Sequence, residues 1–163
     1  MELWDAYDEH FRRVEGKILV RGEPVPEGLY HLVCDVLVRH ADGTYLLMRR
    51  DPQKKRCGGL WEATAGGAAL RGEEPLDCAE RELREETGIV SHRLTELGRM
   101  VSRAHRSLYV EFLCEIDGDK DAIALQEGET VAYRWVTAGT LGHMGPDELV
   151  TRRMQVLVPE LGL

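Results

Sequence analysis

The stretch of sequence that decides the fold runs from Gly67 to Ile89 and reads GAALRGEEPLDCAERELREETGI. Within it, the residues from Pro75 to Thr87 predict a helix. Proline suits the first helical turn, where a backbone N–H would have no partner in any case, and Gly88 suits the left-handed residue that often follows a helix. An apolar stripe recurs at helical spacing and is expected to face the core; its members are Leu76, Ala79 and Leu83.

The same helix carries three glutamates on another face, because Glu82, Glu85 and Glu86 lie at positions i, i+3 and i+4. Like charges at this spacing cost a helix about 0.2–0.5 kcal/mol per pair, and the carboxyl end of a helix disfavours anions. A hard dication would remove the repulsion, since carboxylate oxygens are ligands that Mg²⁺ prefers. The alternative is an acidic helix face in water, which is common on helix surfaces.

The segments around this helix predict a mixed sheet. His31 to His40 is dominated by Val and Leu, and Thr44 to Arg50 returns after a turn signal, so the two predict a hairpin. The order of strands, helix, strands, helix predicts an α/β sandwich, with helices on the faces of the sheet. Further strands are predicted over Leu94–Val101, Leu108–Ile116 and Thr130–Val136, and an amphipathic helix over Pro146–Val158, with Leu149, Met154 and Leu157 inward and Pro159 closing it.

Length and composition limit the functions to consider. A chain of 163 residues suits one domain with a substantial core. The net charge of −8 argues against a partner such as polymeric nucleic acid, whose affinity comes from neutralised phosphates. No stretch approaches the roughly 20 apolar residues of a membrane helix, and the first residues do not have the pattern of a signal peptide. The four cysteines form no C-x-x-C pair and are expected to be reduced thiols of a cytoplasmic protein.

The segment from residue 67 to residue 89 resembles the signature of the Nudix hydrolase family, G-x5-E-x7-R-E-U-x-E-E-x-G-U, in which U is a bulky aliphatic residue. Its nine fixed positions are filled without a gap by Gly67, Glu73, Arg81, Glu82, Leu83, Glu85, Glu86, Gly88 and Ile89. The resemblance implies the α/β/α sandwich of that family. It also implies a single domain over 1–163, with short strands in an N-terminal extension (1–28) and the signature at 67–89.

The resemblance further implies an activity and a metal. Members of the family cleave a diphosphate linkage in a nucleoside diphosphate derivative or a related small molecule, and some form homodimers. By resemblance Glu82, Glu85 and Glu86 bind Mg²⁺, for which Mn²⁺ can substitute, and the carbonyl of Gly66 adds a ligand. Arg81 is implied to orient Glu82, for which a bidentate pair is well suited.

A carboxylate must also accept the proton of the attacking water. Glu82 is one candidate for this general base. Many family members supply a distant glutamate from the region ahead of the last strand, where this chain has Glu127 and Glu129. The spacing to Trp135 favours Glu129, while the alternative is that both belong to an exposed acidic turn.

A basic cluster precedes the signature, with five cations within eight residues of an acidic chain. Its functional interpretation is capture of the substrate phosphates, and the predicted substrate-binding residues are Arg50, Lys54 and Lys55. The alternative is a solvated loop tip. The remaining members of the cluster are Arg49 and Arg56.

Three segments look like isopentenyl diphosphate isomerases, which share the Nudix fold: Arg49–Trp61, Trp4–Asp8 and Pro26–Leu32. Gly66 occupies the position of the essential cysteine of those enzymes, and Cys57 lies too early to replace it. The full hydrolase signature is retained. The sequence therefore favours an isomerase-like branch of the Nudix hydrolases, and leaves an isomerase and a non-catalytic Nudix-fold nucleotide sensor as the alternatives.

Overall fold

The computed structural model describes residues 1–162. Within them nine strands and three helices follow one another along the chain. The strands are β1 (Leu3–Tyr7), β2 (Arg13–Val20), β3 (His31–His40), β4 (Tyr45–Arg50), β5 (Trp61–Glu62), β6 (Thr64–Ala68), β7 (Leu94–Ser102), β8 (Ser107–Ile116) and β9 (Thr130–Val136); the helices are α1 (Pro75–Thr87), α2 (Ala138–His143) and α3 (Arg153–Glu160). The predicted strands are confirmed within one residue at each end.

The main sheet is mixed and is built around β3, which pairs in parallel with β8 over its whole length. On its other side β3 pairs antiparallel with β6 and, at its end, with β4. β7 continues the sheet beyond β8, whereas β5 and β9 pair with β4. β1 and β2 form a separate antiparallel hairpin that precedes the sheet.

Alternation along β3 divides the core between the two faces of the sheet. Leu32, Cys34 and Val36 lie in the same cluster of buried residues as α1, whereas Leu37 lies in the cluster that contains residues of α2 and α3. The sheet is therefore covered by α1 on one face and by α2 and α3 on the other. This arrangement confirms the α/β/α sandwich.

Helix α1 has the predicted boundaries. Gly88 follows it in the left-handed region (φ 76°), and its N–H donates to the carbonyl of Arg84 at 2.9 Å. The predicted apolar stripe is partly wrong: Ala79 and Leu83 are fully buried, but Leu76 is 42% exposed. Cys78, two positions further along the chain, is fully buried instead.

The predicted helix over Pro146–Val158 is also wrong in its extent. Residues 146–148 form a turn. The N–H of Trp61 donates to the carbonyl of Glu148 and the N–H of Val150 donates to the carbonyl of Trp61, so Leu149 forms an isolated parallel bridge with Trp61. The helix starts only at Arg153, and Pro159 lies inside its last turn instead of closing it. Leu149, Met154 and Leu157 are buried as predicted.

Helix α2 was not predicted. It has six residues, of which Leu141 is buried, and the hydroxyl of Thr137 caps it by accepting from the N–H of Thr140 at 3.1 Å. The capping threonine is the local signal that marks its start. Among the described residues, no helix combines the length and apolar character that crossing a membrane would require.

The corrected stripe of α1 leads to a test of stability. We expect Leu83→Ala to lower the free energy of unfolding by about 2–5 kcal/mol, because it leaves a cavity in the core. Leu76→Ala, the same change on the same helix, is expected to cost no more than about 0.5 kcal/mol. Urea denaturation of both variants measures the difference, and equal losses would contradict the observed burial.

Candidate active site

A cavity of about 450 Å³ lies where β6 meets α1. We call it the carboxylate cavity, because the three glutamates of the helix face line it. It also brings together parts of the chain that are far apart in sequence. Its walls include the predicted site residues Arg50, Lys54, Gly66, Arg81, Glu82, Glu85, Glu86 and Glu129.

Arg81 is the centre of an ion-pair network on one wall of this cavity. Its Nε donates to Glu73 at 2.7 Å, and its Nη1 donates to Glu82 at 2.6 Å and to Glu85 at 3.2 Å. Its Nη2 donates to the carbonyl of Ala68 at 3.1 Å. The contact with Glu82 is the one that the resemblance implied, and hydrogen bonds with Glu73 raise the pKa of Arg81 above its usual range. The guanidinium thus ties α1 to the loop before it.

Glu73 belongs to this network and closes the loop before α1. Its carboxylate accepts from the N–H of Leu70 at 2.8 Å as well as from Arg81. Nearby, Gly67 leaves space that Glu82 uses, since a Cβ at Gly67 would lie 2.6 Å from a carboxylate oxygen of Glu82. The absence of a side chain at Gly67 therefore lets the helix carboxylate reach the strand.

Glu86 is the most enclosed of the three helix glutamates. Its Oε2 accepts from the backbone N–H of Gly66 at 3.2 Å. Burial, together with the charges of Glu62 and Glu82, raises the pKa of Glu86 to about 8. Burial likewise raises the pKa of Glu82. The cavity therefore holds carboxyl groups that repel one another when they are ionised.

The donor set of this cavity fits a hard divalent cation. Carboxylate oxygens are suitable ligands for Mg²⁺, and a dication would relieve the repulsion that raises the pKa of Glu86. Among residues 1–162, no three acidic, cysteine or histidine side chains are already gathered around one point. Two of the glutamates each direct one carboxylate oxygen to Arg81, so the other oxygen of Glu82 and of Glu85 is not engaged by that guanidinium.

The opposite side of the cavity is cationic. Lys54 forms an ion pair with Glu129, and Arg50 donates through Nη1 to both oxygens of Glu62 at 3.1 Å. The Nε of Arg50 is buried without a hydrogen-bond partner among the described residues. The pairing with Glu62 therefore fixes Arg50 on this wall of the cavity.

Two predicted candidates lie outside this cavity. Lys55 and Glu127 are exposed, and neither lines its wall. Lys55 directly follows Lys54 and Glu127 lies two residues before Glu129, and both exposed residues belong to turns.

The N-terminal extension contributes a wall that the sequence did not predict. Glu2, Trp4 and Arg21 line the carboxylate cavity together with His31. Arg21 and Trp4 both donate to the carboxylate of Glu2, at 2.9 and 2.7 Å. The Trp4 ring stacks on His31 with centroids 4.5 Å apart. No local pattern gives this wall, because it depends on how the hairpin packs on the sheet.

Comparison with known proteins gives the class of the chain. A family model described as the NUDIX domain matches residues 29–158. This chain therefore belongs to the Nudix hydrolase family, as the segment from residue 67 to residue 89 implied. Members of the family generally act on nucleoside diphosphate derivatives and use divalent metals such as Mg²⁺.

Its relatives include several uncharacterized Nudix hydrolases. The protein lmo0368 of Listeria monocytogenes is 39% identical over 90 residues, which cover 55% of this chain and 53% of the relative. YfcD of Escherichia coli K12 is 31% identical over 126 residues, covering 76% of this chain and 64% of YfcD. PA4841 of Pseudomonas aeruginosa is 30% identical, covering 71% and 78%. The matched region is thus about half the length of the Listeria relative.

Solved structures share the fold at lower identity. DR0079 from Deinococcus radiodurans superposes with a TM-score of 0.77 at 20% identity, covering 98% of each chain. The NUDIX domain of Shewanella oneidensis NrtR, solved in complex with ADP ribose, superposes with a TM-score of 0.64 at 17% identity, covering 82% of this chain and 89% of that one. At such identities the likeness concerns the fold alone.

The repulsion around Glu86 generates a prediction for the metal-free protein. A carboxyl group whose pKa is raised in the fold costs stability once the pH exceeds its unfolded value of 4.5, and the cost is complete above about 8. We expect Glu86→Gln in EDTA to raise Tm by about 2–4 °C at pH ~8.5, and by less at pH ~5.

Magnesium is expected to remove the advantage in Tm that Glu86→Gln has over the wild type in EDTA. It should raise the Tm of the wild type at alkaline pH and leave Glu86→Gln nearly unchanged, because the variant lacks one of the repelling charges and one ligand. Differential scanning calorimetry with and without Mg²⁺ measures both effects. An equal magnesium shift in the two proteins would contradict a metal-binding role for Glu86.

Proposed function

We propose that this protein is a Mg²⁺-dependent hydrolase that cleaves a diphosphate linkage in a nucleoside diphosphate derivative or a related small molecule. One observation carries the proposal: the carboxylates of α1 line the same cavity as the cations Arg50 and Lys54. A diphosphate needs both, since its oxygens pair with cationic side chains and the helix carboxylates hold the metal. We further propose a single domain over residues 1–163 and a cytoplasmic location. A homodimer stays a prediction.

The residues of the cavity have separate roles in this proposal. Glu82, Glu85 and Glu86, with the carbonyl of Gly66, would hold the cation. When bound, it supplies charge neutralisation for the diphosphate oxygens and makes a nearby water more acidic. Arg81 positions Glu82 by its direct hydrogen bond, and Arg50 and Lys54 hold the phosphates of the substrate.

Glu129 is the general base that we favour. It lines the cavity, whereas Glu127 is exposed outside it. Its carboxylate forms an ion pair with Lys54 on the cationic side of the cavity. A phosphate that binds Lys54 would compete for this pair and free the carboxylate. Glu82 remains the other candidate, and one oxygen of its carboxylate accepts from Arg81.

The surroundings of Gly66 argue against an isomerase that uses a thiol at this position. A Cβ built on Gly66 would overlap the backbone oxygen of Cys34 and the side chain of Asp35. The backbone therefore leaves no space for a cysteine there. Cys57 is exposed in a loop and lines a different cavity, so it does not replace the missing group.

Activity measurements test the proposal directly. We expect release of product from a panel of nucleoside diphosphate derivatives with Mg²⁺ or Mn²⁺, and none in EDTA. Glu85→Gln and Glu86→Gln are each expected to lose at least ~10²-fold in rate, because each removes a charged metal ligand. Glu80→Gln is the matched control, since Glu80 is on the same helix and pairs with His92 outside the cavity.

Three other outcomes would point elsewhere. Rates like the wild type in both Glu85→Gln and Glu86→Gln would reject the assigned site. Rearrangement of an isoprenoid diphosphate without phosphate release would favour an isomerase. Tight nucleotide binding without turnover would favour a sensor.

The choice of general base has its own test. We expect Glu129→Gln to lower kcat by about 10²–10⁴-fold with a small effect on KM, whereas Glu127→Gln leaves both constants unchanged. In the wild type kcat should fall at acidic pH, where the general base is protonated. This fall should be absent in Glu129→Gln and present in Glu127→Gln and Glu82→Gln. Absence of the fall in Glu82→Gln, with a normal profile in Glu129→Gln, would assign the role to Glu82.

A further inference from the structure

The hairpin of β1 and β2 lies ahead of the region that the family model matches, which starts at residue 29. Its two strands pair with each other in a sheet separate from the main one. Trp4, Ala6 and Leu19 form a small buried cluster of their own, whereas Tyr7 packs in the cluster that contains α1. What the hairpin contributes to the site follows from its contacts with the loop before α1.

The loop from residue 70 to residue 74 leads from β6 to α1 and is bound to the hairpin by its backbone. The N–H of Arg71 donates to the carbonyl of Leu3 at 2.9 Å. The N–H of Gly72 donates to the carboxylate of Asp5 at 2.8 Å, at a point where the backbone is left-handed (φ 87°). Two consecutive backbone donors of the loop are therefore satisfied by β1.

Arg13, the first residue of β2, holds the end of the same loop. Its Nη2 donates to the carbonyl of Glu73 at 2.7 Å and lies 2.9 Å from a carboxylate oxygen of Glu74, the residue that caps the start of α1. Its Nε donates to the hydroxyl of Tyr7 at 3.3 Å and lies 3.4 Å from the carboxylate of Asp5. One guanidinium thus joins the hairpin, the loop and the start of the helix.

The side chain of Glu73 connects this loop to the carboxylate cavity. Glu73 accepts two hydrogen bonds from Arg81, at 2.7 and 3.0 Å, and both side chains are less than one fifth exposed. Arg81 in turn donates to Glu82 and Glu85. The hairpin fixes the backbone of Glu73, and the carboxylate of Glu73 fixes Arg81. A displaced loop would therefore displace the carboxylates of the helix.

These contacts bear on metal binding more than on stability. The side chain of Arg13 is 39% exposed, and ion pairs at the surface contribute little to the free energy of unfolding. Mg²⁺, in contrast, demands near-ideal octahedral geometry. The sheet fixes the strand end of the loop at Ala69, whose N–H donates to the carbonyl of Leu32, and the core fixes α1 through Leu83. The course of the loop between them is what the hairpin determines.

We propose that the hairpin of β1 and β2 is a positioning element of the metal site, and that Asp5 and Arg13 are its positioning residues. They hold the loop before α1, and the loop holds Arg81 through the side chain of Glu73. In this arrangement the carboxylates of the helix are ready to bind a divalent cation. The role rests on the metal-dependent function proposed above and belongs to residues outside the signature.

Metal affinity without substrate tests this role. Binding of Mn²⁺ is followed by the EPR signal of the free ion. Arg13→Ala is expected to raise the Kd of Mn²⁺ by about 3–10-fold, less than the loss of a residue that contacts a metal ligand, because Arg13 acts through two intervening side chains. Arg13→Lys keeps the charge and a donor for the carbonyl of Glu73, and should restore part of the affinity.

Two other variants show whether the effect belongs to the contacts with the loop. Arg12→Ala is the matched control, because Arg12 is the neighbouring residue and pairs with Asp8 inside the hairpin. It should bind Mn²⁺ like the wild type. Asp5→Ala removes the acceptor of the Gly72 N–H and should weaken Mn²⁺ binding in the same direction as Arg13→Ala. Circular dichroism confirms that each variant is folded.

A second measurement uses the metal-free protein. The Nε proton of Arg81 donates to Glu73 and is shielded, so it should exchange slowly with water and give an NMR signal that Arg81→Lys removes. This proton is expected to exchange faster in Arg13→Ala and at the wild-type rate in Arg12→Ala. An unchanged rate in Arg13→Ala would show that the hairpin does not position Arg81.

A double-mutant cycle tests the path of the effect. If Arg13 acts through Glu73, Arg13→Ala should add little to the loss of Mn²⁺ affinity in Glu73→Gln. Losses that add independently would contradict this path.

The outcomes also separate this inference from the proposed function. If Arg13→Ala weakens Mn²⁺ binding and no diphosphate derivative is hydrolysed by the wild type, the hydrolase function fails and the positioning role stands. If diphosphates are hydrolysed but both Arg13→Ala and Asp5→Ala bind Mn²⁺ like the wild type, the positioning role is wrong. A wild type that does not bind Mn²⁺ would overturn both.

Discussion

The guanidinium of Arg81 is the contact on which the site depends. It links α1 to the segment before it through hydrogen bonds to Glu73, Glu82 and the carbonyl of Ala68. A planar group with five donors in a fixed geometry can make these contacts at once. Without it, Glu82 would be a half-buried anion beside other anions. The position of the helix carboxylates and the course of the strand-to-helix loop are therefore set by one side chain.

This network also shows how the fold tolerates an unfavourable cluster of charges. Glu86 is enclosed near Glu62 and Asp35, and its pKa is raised to about 8, whereas Leu83 on the same helix is fully buried in the core. Packing of the apolar face of α1 in the core thus keeps the carboxylates of the other face close together, although their charges repel one another. Sites at which local preference and global fold disagree are those where function is expected.

The sequence predicted the central elements well because their signals are local. Proline, glycine and the periodicity of the segment define α1, and runs of Val and Leu define β3 and β8. The errors arise where distant contacts decide. Backbone hydrogen bonds with Trp61 hold Leu149 in an isolated bridge after a turn, so a pattern that suits a helix does not form one there.

The same distinction applies to the site. Helical spacing predicted that the glutamates of α1 share one face, and the resemblance of the segment to the Nudix signature implied that they bind a metal. The wall formed by Glu2, Trp4 and Arg21 could not be predicted, since it depends on the packing of a hairpin that lies far away in sequence. Nothing in the sequence distinguished Lys54 from Lys55. In the structure Lys54 lines the cavity and Lys55 is exposed, a difference that depends on the backbone of the loop.

The parallel pairing of β3 with β8 has a consequence for the kinetics of folding. His31 and Ser107, which lie side by side, are 76 residues apart in the chain, and the intervening segment contains α1. Closing so long a loop costs entropy before the contact contributes any stability. Contacts between residues so far apart in sequence slow folding, and β3 can pair with β8 only when nearly two thirds of the chain is available.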